Sequence, residues 1–237
     1  MTLTAKDYSS RGIDYTEYSK DSVNWTKYAG PFLYVDEGVT TLYYRSKDKD
    51  GNLEEVRNQV FKIDTRPPQV DISTDHSTYT RVDSFIVHFN VTDPLPGSGI
   101  DTVVAKLDAL SVVDGQTIDL FWYDLGTHTL VVSATDVAGW ETTKKASFQL
   151  IATLDSLRAT IVRLRKLDEI DSDGIENSLL AKVDAALAAQ GRGQSKVVSN
   201  HLTALIHELE AQSGKHITVR AANLLIGDAH YIQTHLP

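Results

Sequence analysis

The stretch T-L-Y-Y-R-S-K-D-K-D-G-N, Thr41 to Asn52, returns 88 positions later as T-L-V-V-S-A-T-D-V-A-G-W, Thr129 to Trp140. Each copy enters an apolar run through Thr-Leu, leaves it through an Asp-x-x-Gly turn, and has a glycine three residues upstream, Gly38 and Gly126. The echo extends to both sides. Gly12-Ile13-Asp14 returns as Gly99-Ile100-Asp101, and Phe61-x-Ile63 returns as Phe148-x-Leu150, each at a spacing of 87. One register held over so long a stretch identifies two copies of one module, and duplicated units of this size are commonly stacked building blocks. A modular, non-catalytic protein is the expectation.

Composition agrees. A chain of 237 residues holds two domains or more, and its 41% hydrophobic content fills ordinary cores. A net charge of -9 excludes nucleic acid and anionic membrane as natural partners, because binding there depends on Lys and Arg neutralising phosphates. With no cysteine, disulfide and thiol chemistry are excluded, which is consistent with bacterial secretion. No run approaches the roughly 18 apolar residues of a membrane span. The N-terminus M-T-L-T-A-K-D lacks the apolar stretch of a signal peptide, so the chain reads as a piece of a larger protein, and a monomer is expected.

The periodicity changes once. From about residue 8 to 150, short runs rich in β-branched and aromatic residues alternate with Gly, Pro, Asp and Asn clusters, the pattern of many short strands. Ile86-x-x-Phe89-x-Val91, Leu107-x-x-Leu110-x-Val112 and Ala146 to Leu150 are the clearest. After Thr153 the steps become three and four. Leu154, Leu157, Ile161, Leu164 and Leu167 line one helical face, as do Val198, Leu202, Leu205, Ile206 and Leu209. Leu179, Leu180, Val183 and Leu187 mark another helix, and Ala221, Leu224, Leu225, Ala229 and Ile232 a fourth. Breaks fall at Ser172-Asp173-Gly174, at Gly191-Arg192-Gly193, and at Gly214 with Thr218 as N-cap. Four helices with short turns predict a small antiparallel bundle. The link Asp64-Thr65-Arg66-Pro67-Pro68 separates the two β copies, its prolines fixing φ.

The pattern G-I-x-x-x-x-Y-S-x-D, W-x-x-Y, Y-Y-R-S-x-D-x-x-G-N-x-E and I-D-x-x-P-P, from Gly12 to Pro68, resembles the small Ig-like repeats of bacterial extracellular proteins. Pro68 to Leu150, with Gly97-Ser98-Gly99-Ile100-Asp101, Leu125-Gly126-x-His128-x-Leu130 and Asp136-x-Ala138-Gly139, resembles a second Ig-like domain of the same broad kind. The tail, with S-L-L-A-K-V-D-A-A-L at Ser178 to Leu187, N-H-L-T-A-L-I-H-E-L at Asn200 to Leu209 and Q-S-G-K-H-I-T at Gln212 to Thr218, is similar to the FIMAH domain. The resemblance implies a multi-domain chain, β then α: a small Ig-like β domain at 1–66, an Ig-like β-sandwich at 67–151 and a four-helix FIMAH-like bundle at 152–237. It also implies a secreted or cell-surface location and no enzymatic activity.

The motifs of chemistry point the same way. None of the eight histidines stands in His-Glu-x-x-His, and the close pairs His201 with His207 and His230 with His235 are off the i, i+4 face of a helical zinc site. Gly-x-Ser-x-Gly, the P-loop and Gly-x-Gly-x-x-Gly are absent. No cofactor is expected beyond calcium, which takes six to eight oxygens. Asp48-x-Asp50-Gly51-Asn52-x-Glu54 reads first as a hairpin turn and second as a calcium cradle, its glycine being fourth rather than sixth as in an EF-hand. Asp93 with Ser98 and Asp101, around the loop from Pro94 to Gly99, is the other calcium candidate.

Aromatic side chains are the remaining candidates, because sugar rings present apolar faces that stack on Trp and Tyr. Adjacent strand residues face opposite ways, so one of Phe121, Trp122 and Tyr123 is expected to face outward unless the segment is a buried loop. Trp140 replaces the Asn52 of the first copy beside a turn, as a contact surface or as packing against a neighbouring domain. Trp140, Trp122 and Tyr123 are the carbohydrate-contact candidates. The expected function is a non-catalytic C-terminal accessory region of a secreted bacterial polysaccharide-degrading enzyme, working as spacer and carbohydrate-binding or attachment module beside an upstream catalytic domain. The alternative is an adhesin or cell-surface stalk that binds protein or envelope components.

Overall fold

The structure, a computed structural model, describes residues 1–8 and 11–237. A β-rich N-terminal region is followed by four helices. The strands are β1 (Ile13–Ser19), β2 (Thr26–Lys27), β3 (Gly38–Asp48), β4 (Arg57–Ile63), β5 (Gln69–Ser73), β6 (Thr78–Thr80), β7 (Ser84–Ile86), β8 (His88–Thr92), β9 (Ile100–Leu107), β10 (Leu110–Val112), β11 (Thr117–Asp119), β12 (Gly126–Asp136) and β13 (Glu141–Ile151). The helices are α1 (Leu154–Lys166), α2 (Asp173–Gln190), α3 (Ser195–Gln212) and α4 (Val219–Thr234).

The duplication read from the sequence is present strand for strand. One sheet has the order β2-β1-β3-β4 and the larger one β10-β9-β12-β13-β6, so the order of the first sheet recurs inside the second. β3 and β12 are both 11 residues long and start at the repeated glycines. The closing turns repeat bond for bond. Asp48 N–H donates to Asn52 O at 3.1 Å and Asp136 N–H to Trp140 O at 3.0 Å, while Gly51 and Gly139 donate back to Asp48 O and Asp136 O. Both glycines sit at φ 91°, in the left-handed region that a Cβ disfavours.

The copies differ in what they bury. Along β12 every second residue from His128 to Asp136 is buried, the period-2 pattern of a strand with one covered face. The additional strand pairs β5-β8 and β11-β7 belong to this second copy. In the first copy the described strands make one sheet, and Leu42 is its fully buried apolar side chain. Aromatic rings do much of its covering, Tyr18 stacked on Phe32 at 4.5 Å and Tyr34 against Phe61 at 5.4 Å.

Three sequence expectations need correction. Ile86 to Val91 is not one strand, since β7 ends at Ile86 and β8 starts at His88, and the two pair in different sheets. Leu107 to Val112 is not one strand: Asp108, at φ 51°, turns the chain back so that Leu110 pairs with Leu107. Leu167 is not on the buried stripe, because α1 ends before it and it is 48% exposed as the C-cap.

The helices pack in sequence, and α4 returns to α1. Thr153 and Ser156 form a capping box at α1, and Thr218 caps α4 by accepting from Ala221 N–H at 3.2 Å. The chain divides into two compact units: Met1–Asp71 with Asn90–Val104 and Val132–Lys144, and Ile72–Phe89 with Ala105–Val131 and Lys145–Pro237.

Candidate functional site

The second unit contains a groove of about 710 Å³ walled by the turn after β11 and by one face of α4. The turn is set by Asp119, whose Oδ1 accepts from Phe121 N–H at 3.1 Å and whose carboxylate also pairs with Arg163. Residues 120 to 125 are therefore a turn, not a strand, and strand alternation does not govern their rings. Phe121 is fully buried in the core of the helical bundle, with the Arg163 guanidinium 4.1 Å from its ring centroid. Trp122 and Tyr123 are half-buried on the groove wall. Trp122 meets Phe121 edge-on at 5.0 Å, and Arg220 of α4 lies over its ring at 3.4 Å.

Tyr123 packs edge-on against His128, which bridges the Asp108 carboxylate at 2.7 Å and the Asp124 carbonyl at 2.8 Å. Burial, and then the Asp108 charge, push the Tyr123 phenol up from its ordinary value. It stays a neutral O–H at physiological pH. Across the groove Asn223, Gly227, His230 and Thr234 recur at the three- and four-residue steps of one α4 face.

Beneath the groove lies a buried ion pair. Arg81 Nε donates to Asp228 Oδ1 at 2.7 Å, and its Nη1 donates to the carbonyls of Phe121 and Tyr123. Asp228 is 1% exposed, and burial raises its carboxyl to about 6 while Arg81 pulls it the other way. One guanidinium thus joins α4 to the turn that carries the aromatic wall. Nothing in the sequence paired the two, since 147 positions separate them.

The remaining sequence candidates fall in the first unit. Trp140 is 46% exposed, and its indole N–H donates to the Asp64 carbonyl at 3.0 Å. At the first turn Asp48 accepts from the backbone of Asp50 and Asn52 and from the Asn52 amide. The Asn52 amide, the largest influence, lowers its carboxyl. Asp50 pairs with Arg11 at 2.8 Å. Asp101 is exposed on β9, apart from the carboxylates that Asp93 joins. Those are Asp64 and Asp136, and one oxygen of each of the three lies within 4.8 Å of the others. Neither Asp64 nor Asp136 was singled out from the sequence as a ligand. The signal was available in the repeat, where Asp136 is the counterpart of Asp48 but lacks its Asn.

The FIMAH domain family matches residues 154–234, the four helices. The search of curated proteins gives no match. Among solved structures, the chain is similar to the fibronectin(III)-like modules of Clostridium thermocellum CbhA, at 14% identity over 61% of this chain and 80% of that one, with a TM-score of 0.29. Similarity to the human Desmocollin-1 ectodomain is 15% identity over 65% of this chain and 36% of that one, with a TM-score of 0.30. For Drosophila N-cadherin EC1-3 it is 14%, 65% and 60%, with a TM-score of 0.29. Among the described residues no helix is long and apolar enough to cross a membrane.

Proposed function

We propose that this chain is a non-catalytic accessory region of a secreted bacterial polysaccharide-degrading enzyme, its β copies a spacer and its groove a polysaccharide contact. The observation that carries the reading is the placement of Trp122 and Tyr123 on the wall of an open groove, facing Asn223 and other hydrogen-bonding side chains of α4. Aromatic rings supply stacking for the faces of a sugar, and neighbouring amides and carboxylates serve its hydroxyls. The match of the helices to the FIMAH domain supports an accessory role, as does the duplication of the β module. The upstream catalytic domain and the extracellular location belong to this proposal.

Affinity electrophoresis against soluble polysaccharides tests it. Retardation by at least one glycan is expected, lost in Trp122→Ala and retained in Trp140→Ala, whose indole is hydrogen-bonded to Asp64. Unretarded migration in every glycan removes the polysaccharide contact. The chain would then serve as a stalk, a reading favoured by the buried Arg81–Asp228 pair, which fixes the bundle to β-region residues within the second unit.

A further inference from the structure

The acidic cluster of the first unit lies where the two copies differ chemically. At the first turn both oxygens of Asp48 have donors: Oδ1 accepts from Asn52 N–H at 2.8 Å, and Oδ2 from the Asn52 amide at 2.8 Å. At the second turn the backbone bond is kept, Asp136 Oδ1 accepting from Trp140 N–H at 2.9 Å. The amide is missing because Trp140 stands in its place. Asp136 is 2% exposed, and its Oδ2 is buried with no hydrogen-bond partner. Asp93 Oδ1 is in the same condition, while its Oδ2 accepts from Gly99 N–H at 2.5 Å. Asp64 accepts from Ser98 N–H at 2.8 Å and from Arg66 N–H at 3.0 Å; the Ser98 side chain foremost, and then these backbone bonds, hold its carboxyl below the usual range. It remains an anion with lone pairs to spare.

Three carboxylates this close repel one another, and a buried oxygen without a donor is costly. Arg66, two residues from Asp64, pairs with Glu37 at 2.7 Å, and its charge is the smallest of the influences that lower the Asp64 carboxyl. A cation among the three oxygens removes both costs together. We propose that Asp64, Asp93 and Asp136 bind a calcium-class divalent cation, tying the linker after β4 to the loop before β9 and the turn after β12. The donor set is all oxygen, which selects a hard cation, and it comes from three separate segments, which suits the irregular cage of calcium better than the strict octahedron of magnesium. Gly97 protects the arrangement, since a Cβ there would lie 2.3 Å from Asp93 Oδ2.

The test uses the full chain stripped with chelator. Titration calorimetry with CaCl2 is expected to give a dissociation constant of roughly 0.1–1 mM, the range of extracellular modules. Terbium luminescence excited through tryptophan is expected to saturate and to be reversed by calcium, because Trp140 is bonded to both Asp136 and Asp64. Asp93→Asn and Asp136→Asn are each expected to weaken calcium at least about tenfold, and Asp48→Asn to leave it unchanged within about twofold. Trp140→Asn, which restores the missing amide, is expected to weaken it as well. If Asp136→Asn loses its native circular dichroism, Asp93→Asn decides, since Asp93 is only half-buried. No binding heat and no saturable emission, tighter magnesium than calcium, or equal loss in Asp48→Asn each overturns the site.

Discussion

Arg81 and Asp228 show how burial and charge compete at a single residue pair. Desolvation raises the Asp228 carboxyl from 3.8 to about 6, and the guanidinium beside it only offsets part of that rise. Between those values the folded chain keeps a proton that the unfolded chain has released, so this group makes unfolding easier as pH rises from about 4 to 6. The contribution is about 3 kcal/mol, present below pH 4 and lost above pH 6. Denaturant melts across that window should show a shallower decline in Asp228→Asn than in the parent. At pH 7 Asp228→Ala removes the carboxylate acceptor of a buried guanidinium altogether, and a loss of about 3–5 kcal/mol is expected, whereas the neutral isostere in Asp228→Asn keeps an acceptor for Arg81 and is expected to cost far less. The double change Arg81→Met with Asp228→Leu should recover most of the Asp228→Ala loss, because a well-packed apolar pair replaces a buried ion pair at little net cost.

At the scale of elements, the turns after β3 and β12 are the same device used twice. Gly51 and Gly139 have the same φ of 91° and nothing within 4 Å of where a Cβ would stand. Alanine at either position therefore meets backbone strain alone, without a clash. Each substitution is expected to cost about 1–2 kcal/mol, and the two to match within about 0.5 kcal/mol, by thermal or chemical melting. A marked inequality would mean that the turns bear different constraints. The same glycines made these elements legible in the sequence: Gly, Asp and the Thr-Leu entry are local requirements of strand and turn, so they survive as a pattern. Trp140 broke that pattern, and the break marked the one turn whose aspartate is left without its amide. The turn at Leu120 to Leu125 left no such mark, because its geometry comes from Asp119 and Arg163 rather than from any turn residue.

At the scale of the whole chain, the helices and part of the β-region share one core in the second unit. Phe121, with no exposed surface, packs with Leu157, Ile161 and Leu164 of α1 and with the other buried helix residues. A chain truncated after Ile151 would uncover Phe121 and strip Arg81 of Asp228. It is expected to bind a hydrophobic dye and to melt lower than the full chain, whereas unchanged melting would mean that the bundle adds nothing to the β-region. The order of modules, the duplication, the four helices and most of their buried stripes were determined by sequence alone, because periodicity, capping and turn chemistry act over a few residues and are written locally. The pairing of Arg81 with Asp228, the meeting of Asp64, Asp93 and Asp136, and the groove over Trp122 and Tyr123 were decided only by tertiary structure. Each joins side chains far apart along the chain, and no local preference records which distant partner burial will bring to a charge.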